Sequence, residues 1–392
     1  MAEAAPESAP KVKAPAATAW RVDRDEFAQA VTWIARSLPS RPSVPVLAGI
    51  RLDLAGGELR LSAFDYEVSS EAVIPAESDS AAQLLLPGKV LAEIAQALPA
   101  QPVDFTVDGV KVIVACGAAR FTLLTMPVED YPTLPEMPPV AGRIDAAAFA
   151  AAAAQVVIAA GKDETLPMLT GIHVRFEGEK VTLAATDRFR LAVRELTWQP
   201  PTPNYSATLI APARVLSAST KSLVSAGEIE VAMPATGAAG DELLGLSGAG
   251  RRTTTRLLGP VFPDYPKLIP TEFPLHVDLD AAAFTEAVKR VALVADRNTP
   301  IRLSFADGQV AIEAGGGGDT QGVEKVPVTW GGEPFSIAFN HGFLLDGIGA
   351  ASTSTVRLQM TSDTLPAVLV EITAEGEVAP GYTYLIMPIR LS

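Results

Sequence analysis

Between Thr182 and Leu196 (TLAATDRFRLAVREL) apolar and polar positions alternate, pause at Thr186-Asp187, and resume as Phe189, Leu191 and Val193 with arginines between them. Period-two alternation on both sides of a short polar break predicts a β-hairpin. The layout recurs. LRLSAFDYEVSSEAV, from Leu59 to Val73, reads as strand, Asp65, strand, and a third relative begins at Gln309 (QVAIEAGGGGDTQGVEKV). The chain therefore reads first as a repeat.

The helices repeat as well. In VDRDEFAQAVTWIARSL, Asp23 is placed to cap a helix whose core face is Phe27, Val31, Ile34 and Leu38, with Asp25, Gln29 and Arg36 opposite. Extended segments follow from Val46 to Leu54 and from Glu58 through Val73, turning at Gly56-Gly57. A second helix lies between Pro87 and Pro99, with Val90, Leu91, Ile94 and Leu98 inward and Lys89, Glu93 and Gln96 outward. Three further strands lead to the Pro-rich connector TMPVEDYPTLPEMPP. The same order returns with Asp145 and Phe149, then with Asp280 and Phe284, whose helix is expected to run to Ala295. LTGIHVRFEGEKVTL matches LAGIRLDLAGGELRL, and Arg214 stands where Lys89 stood. The predicted fold class is α+β: three repeated domains over residues 19–139, 140–271 and 272–392, each with two amphipathic helices on antiparallel sheet. Residues 1–18 read as a disordered leader. Domains placed by a similar rotation each time curve into an arc, and two arcs can close a ring if their ends complement head to tail.

Charge changes this picture in one respect. A net charge of −14 argues against general adhesion to nucleic acid, yet net charge says nothing about where charges sit. The outward faces of the helices carry Arg36, Lys89, Arg214, Lys221, Lys289 and Arg290, with Arg41 between two prolines. Ordinary solvated helix faces are the plain alternative. One sign at corresponding places favours a positive lining on an acidic body.

Reactive chemistry is sparse. A single cysteine, Cys116, allows no intramolecular disulfide, fits a reducing compartment, and reads as a core strand residue. His173 alternates within a strand, His276 falls in a linker and His341 starts a helix, so no metal spacing arises. GGGGD at Gly315–Asp319 lacks the residues of a phosphate loop and reads as a hairpin tip. RRTTTR (Arg251–Arg256) reads as a strand with outward arginines. Asp65 and Asp187 occupy equivalent turns, which makes them structural. No run approaches the ~20 apolar residues of a membrane span, and the leader has no secretory pattern. Two classes remain: a binding scaffold, or an enzyme of unknown chemistry on a repeated scaffold. The missing acid–base or nucleophile constellation weighs against the second.

The three repeats, LAATDRFRLAV, FPDYPKLIP and the terminal YLIMPIRL together resemble the bacterial DNA polymerase III β subunits, the replicative sliding clamps, from about Trp20 onward. The resemblance implies half of a closed ring: a head-to-tail homodimer whose inner helices surround duplex DNA without reading its sequence. It implies no catalysis, no 3′–5′ exonuclease activity, no cofactor, no metal and no membrane. It implies partners that dock apolar peptides (the replicative polymerase alpha subunit, the clamp loader, other polymerases and repair proteins) and a cytoplasmic, nucleoid-associated location. The implied groove comprises Leu169, Thr186, Arg188, Phe189, Arg190, Leu191, Pro263, Leu268, Leu385, Met387, Pro388, Ile389 and Arg390. The plain reading of its apolar members is a domain-interface core. Many relatives have Gly-His where this chain has Arg188-Phe189, which makes the rim bulkier and more basic. Two or three apolar anchors at ~1.5–3 kcal/mol each, less ordering costs, give roughly micromolar binding. Lys162 joins the implied DNA-facing set, and the implied subunit interface sets Phe121 and Leu123 against Leu293 and Val294. A specialised second clamp is a variant of the same reading.

Overall fold

The computed structural model describes residues 18–78, 80–234, 243–259, 261–295, 299–315 and 320–390. Most of the predicted leader, and most of the GGGGD run, lie outside them. The chain divides into two compact units, one of Met1–Pro135 with Gly250–Arg252, the other of Glu136–Ala249 with Thr253–Ser392.

Among the described residues six α-helices come in packed pairs: α1 (Arg24–Ala35) with α2 (Gly88–Ala97), α3 (Ala146–Val157) with α4 (Ala213–Ser222), and α5 (Ala281–Val291) with α6 (His341–Ala350). The first helix of each pair starts as the sequence predicts. The Asp23 carboxylate accepts from the amides of Asp25 and Glu26, Asp145 from Ala148, and Asp280 from Ala283, which satisfies amides that have no partner within the helix.

In the first unit, strands Ala82–Pro87, Gly49–Ala55, Glu58–Phe64 and Val68–Pro75 lie side by side, and Ala19–Val22, Val103–Asp108, Lys111–Cys116 and Ala119–Leu124 form a second sheet. All these neighbours are antiparallel. Their core gathers Phe27, Val31, Ile34, Leu52, Leu61, Leu91, Phe105 and Val114. In the second unit an eight-stranded sheet runs Ser206–Pro212, Gly171–Glu177, Lys180–Thr186, Arg190–Thr197, Val378–Ile386, Ala367–Ile372, Thr355–Met360 and Leu275–Asp280. Its two halves come from the second and third repeats and join where Leu191 lies opposite Leu385.

Several local expectations change. Pro45–Ala48 is a 3-10 turn and the strand begins at Gly49; proline suits the first helical position, and a Cβ at Gly49 would lie 2.5 Å from Leu85. Val90 is 45% exposed. The buried stripe of α2 centres on Leu91, Ile94, Ala95 and Leu98, and at ~100° per residue Val90 falls a quarter-turn from its middle. The helix expected to reach Ala295 stops at Val291 and tightens to a 3-10 turn over Ala292–Val294. His276 lies in the strand Leu275–Asp280 rather than a linker. Thr253, Thr254 and Thr255 are all buried, so Arg251–Arg256 is not a simple alternating strand. Cys116 is buried, its thiol 3.3 Å from the Pro99 carbonyl and 3.2 Å from that of Gln101.

Candidate functional site

The hairpin at Asp187 is built by its own side chains. One Asp187 carboxylate oxygen accepts from the amides of Phe189 and Arg190, both at 3.1 Å. The Thr186 hydroxyl donates to the Arg190 carbonyl at 2.7 Å and accepts from the Arg188 amide at 3.1 Å. Asx and hydroxyl bonds of this kind replace backbone turn bonds. Arg188 sits at φ +81°, in the region that favours glycine. The Phe189 carbonyl accepts from the Met387 amide at 2.9 Å, which ties the terminal strand to this turn.

Alternation then sends neighbouring side chains to opposite faces. Arg190 and Arg194 point to the helix side. Arg190, 5% exposed, binds Asp187 through Nε at 2.9 Å and Asp346 through Nη1 at 2.6 Å, with its guanidinium carbon 4.2 Å from the Phe343 ring centre. Burial alone would depress its pKa, but Tyr384, Asp346 and Asp187 outweigh burial and raise it, so the guanidinium stays charged. Arg194 reaches Glu371 at 3.3 Å. Glu371, 2% exposed, also accepts from Gln155 Nε2 (3.1 Å), the Ser352 amide (2.6 Å) and the Ser352 hydroxyl (2.7 Å). A buried carboxylate needs partners of this number, and here they come from both repeats.

On the opposite face, Leu191, Val193, Ala184, Leu385, Val368, Val370 and Tyr265 form a separate apolar cluster, flanked by Phe262, Ile269 and Phe273 of the connector. His173 stacks on Phe262 with ring centres 4.8 Å apart; burial, then Arg175, pulls its pKa below the ordinary value of 6.5.

The expected groove residues separate into two groups. Leu169, Thr186, Arg190, Leu191 and Leu385 are buried. Arg188, Phe189 (55%), Pro263, Leu268 (51%), Met387 (37%) and Arg390 are exposed, while Pro388 and Ile389 are half-buried. The arrangement is an apolar floor, which also serves as interior, beside an exposed apolar rim. Asp346, Phe343, Tyr384 and Glu371, which hold the two arginines, are absent from the sequence reading. A signal existed: Arg190 and Arg194 alternate with apolar residues along the predicted strand, and a cation drawn toward an interior requires an acceptor.

The expected cations also divide. Arg36, Arg41 and Lys89 in the first unit, and Lys162, Arg214 and Lys221 in the second, are exposed and make no ion pair among the described residues. Lys289 and Arg290 are engaged: Lys289 with Glu286 at 2.9 Å, Arg290 with both oxygens of Glu324 at 2.9 and 2.6 Å. Lys89 and Arg214 each stand second in their helices, where the helix dipole disfavours a cation. Of the expected interface residues, Leu293 is 85% exposed, Val294 and Phe121 are half-buried, and Leu123 lies in the core of its own unit. The strand Ala119–Leu124 turns Leu123 inward and leaves Leu124 exposed. Among the described residues, no His, Cys, Asp and Glu side chains group to hold a metal, and no helix is long and apolar enough to cross a membrane.

Three repeats of paired helices on antiparallel sheets, the second and third joined at an apolar seam, define a binding scaffold. Residues 18–135, 143–264 and 266–390 match, respectively, the N-terminal, central and C-terminal domain families of the DNA polymerase III beta subunit. A beta sliding clamp of Streptomyces coelicolor is 50% identical over 373 residues, covering 95% of this chain and 99% of that protein. The beta sliding clamp homolog GriR of Streptomyces muensis is 40% identical over 372 residues, covering 95% and 99%. The crystal structure of a Pseudomonas aeruginosa sliding clamp bound to griselimycin shares the fold, with TM-score 0.87 at 24% identity over 96% of this chain and 100% of that one. The chain belongs to the DNA polymerase III beta subunit family, the sliding clamps, non-catalytic processivity factors of DNA replication.

Proposed function

We propose that this chain forms a head-to-tail homodimeric ring around duplex DNA, with three domains per subunit over residues 19–139, 140–271 and 272–392. The ring tethers the replicative polymerase in the cytoplasm, at the nucleoid. The observation that carries this reading is the division of its cations. Six sheet arginines, Arg51, Arg143, Arg175, Arg190, Arg194 and Arg357, pair with carboxylates. By contrast, Arg36, Arg41, Lys89, Lys162, Arg214 and Lys221 on helices and loops make no ion pair among the described residues, as is also true of Lys111, Arg120 and Lys325 on strands. Cations placed against the dipole at the start of two equivalent helices give up stability for a surface that suits phosphate. Phosphates are alike at every step, so such contacts hold without fixing position. Lys289 joins them by releasing the exposed Glu286, at little cost, and Arg290 by releasing the half-buried Glu324.

The floor of Leu191 and Leu385 with the rim of Phe189, Leu268 and Met387 accepts apolar peptides of the polymerase alpha subunit, the clamp loader, other polymerases and repair proteins. Leu293 and Val294 of one subunit meet the strand bearing Phe121 in the other.

Light scattering at micromolar concentration should give a dimer. Loaded protein should be retained on nicked circles and run off linear DNA. A monomer, or equal retention on both, would overturn the ring. Met387→Glu with Leu268→Glu should abolish capture of the polymerase alpha subunit while the dimer persists. Buried Leu191 is unsuitable for that test, since a charge there would disrupt the sheet.

A further inference from the structure

The connector that supplies Leu268 to the rim also walls a second feature. A cavity of about 460 Å³ has Arg175, Lys180, Val193 and Glu195 on its sheet side and Tyr265 and Ile269 on its connector side. Leu191, Val193 and Glu195 follow one another on one face of the strand Arg190–Thr197. Along that line the strand face changes from apolar to charged, and Val193, Tyr265 and Ile269 belong to both the cavity lining and the apolar cluster.

The charged end consists of two ion pairs at the surface. Arg175 binds Glu177 through Nη2, and its Nε is buried with no acceptor. Lys180 pairs with Glu195 at 3.1 Å, and both are about half exposed, so the pair opens to a competing carboxylate at little cost. The lining carries Arg175, Lys180 and Glu195, and Glu177 engages Arg175, so an incoming carboxylate enters by displacing one partner of a surface ion pair. Four residues of strand separate Leu191 from Glu195, about 14 Å at ~3.4 Å each, a span that four or five extended residues of a bound chain would cover.

We propose that this cavity is a second contact for the partner segments that occupy the groove, taking a carboxylate side chain four or five residues beyond their apolar anchors. The inference rests on the groove reading above. Its occupant is the flanking stretch of the same partner chain.

The test uses the full-length dimer and fluorescein-labelled peptides read by anisotropy. One is a short apolar probe, Ser-Leu-Ser-Leu-Phe; the others extend it at either end by Gly-Ser-Gly-Glu-Glu or by Gly-Ser-Gly-Gln-Gln. At one end the Glu extension should bind about fivefold or more tightly than its Gln counterpart, and the gain should shrink as salt rises. Arg175→Gln with Lys180→Gln should remove the gain, and Thr271→Trp, which fills the cavity from its exposed rim, should do the same. Both should leave the short probe's affinity unchanged. Equal binding of Glu and Gln extensions at both ends, or a gain that survives in both variants, overturns the inference alone. Failure of the short probe to bind an intact dimer overturns the groove reading, and this inference with it.

Discussion

In the first repeat the Asp65 carboxylate accepts from the amides of Glu67 and Val68, and Tyr66 sits at φ +77°. In the second, Asp187 caps its turn the same way with Arg188 at φ +81°. The surroundings differ. The first turn is plugged: Phe64 is buried with Val46, Leu85 and Tyr131, the Tyr131 hydroxyl accepts from the Phe64 amide at 2.7 Å, and the Tyr66 ring packs 5.6 Å from that of Phe64. The second has Thr186 where Phe64 stands, Arg190 where Val68 stands, and an exposed Phe189 beside Met387. One backbone thus serves two purposes. Aromatic filling closes the first copy, whereas a small hydroxyl residue and an arginine turned toward the helices leave the second open at its rim.

Replacing the residue after each turn should separate them most. Arg190→Met strands Asp187 and Asp346 and should cost about 3 kcal/mol, read as a lower urea midpoint. Val68→Ala should cost about 1 kcal/mol. Similar losses would mean that the arginine is not the anchor of the second turn. The connector tyrosines come next. Tyr131→Phe leaves the Phe64 amide unsatisfied and should cost about 1–2 kcal/mol, while Tyr265→Phe should stay within about 0.5 kcal/mol. Burial raises the Tyr131 pKa to about 12, so its contribution is complete below the ordinary value near 10 and is lost as pH rises toward 12.

Acid should discriminate more gently. His173 occupies the strand position equivalent to Arg51, which is paired with Asp53. Because burial holds the His173 pKa below 6.5, its contribution is present above pH 6.5 and is lost as pH falls through the lowered value. Stability below pH 6.5 should fall less steeply in His173→Phe than in the parent, measured by thermal unfolding across pH. The smallest effect concerns strain. Arg188→Gly exchanges a left-handed non-glycine for greater chain freedom and should gain about 0.5 kcal/mol. Tyr66→Gly loses its ring contact as well and should gain nothing. A matching gain at both would mean that Tyr66 contributes no packing.

Much of this was legible in the residues. The helix caps at Asp23, Asp145 and Asp280, the turn roles of Asp65 and Asp187, and the interior place of Cys116 all follow from local chemistry, because each depends on atoms within a few residues or on simple apolarity. Val90 was placed on the core face although it lies at the edge of the α2 stripe and is exposed, and the partners of Arg190 and Arg194 were not legible because distant segments supply them. Arg190 finds Asp346 and Phe343 in α6, and Arg194 finds Glu371, Gln155 and Ser352. No spacing rule connects such positions.

By itself, then, the sequence determined the repeat, the helices and strands within it, and the turns that join them, since periodicity and capping act over a handful of residues. Alternation also determined that Arg190 and Leu191 face opposite ways. Only the tertiary structure decided which way. A strand has no inside until something packs against it. Here α6 and Glu371 fill one face and the Phe262–Thr271 connector partly covers the other, so the same alternation yields a buried Arg190 and a half-buried Arg194 on one side and, on the other, an apolar floor edged by an exposed rim.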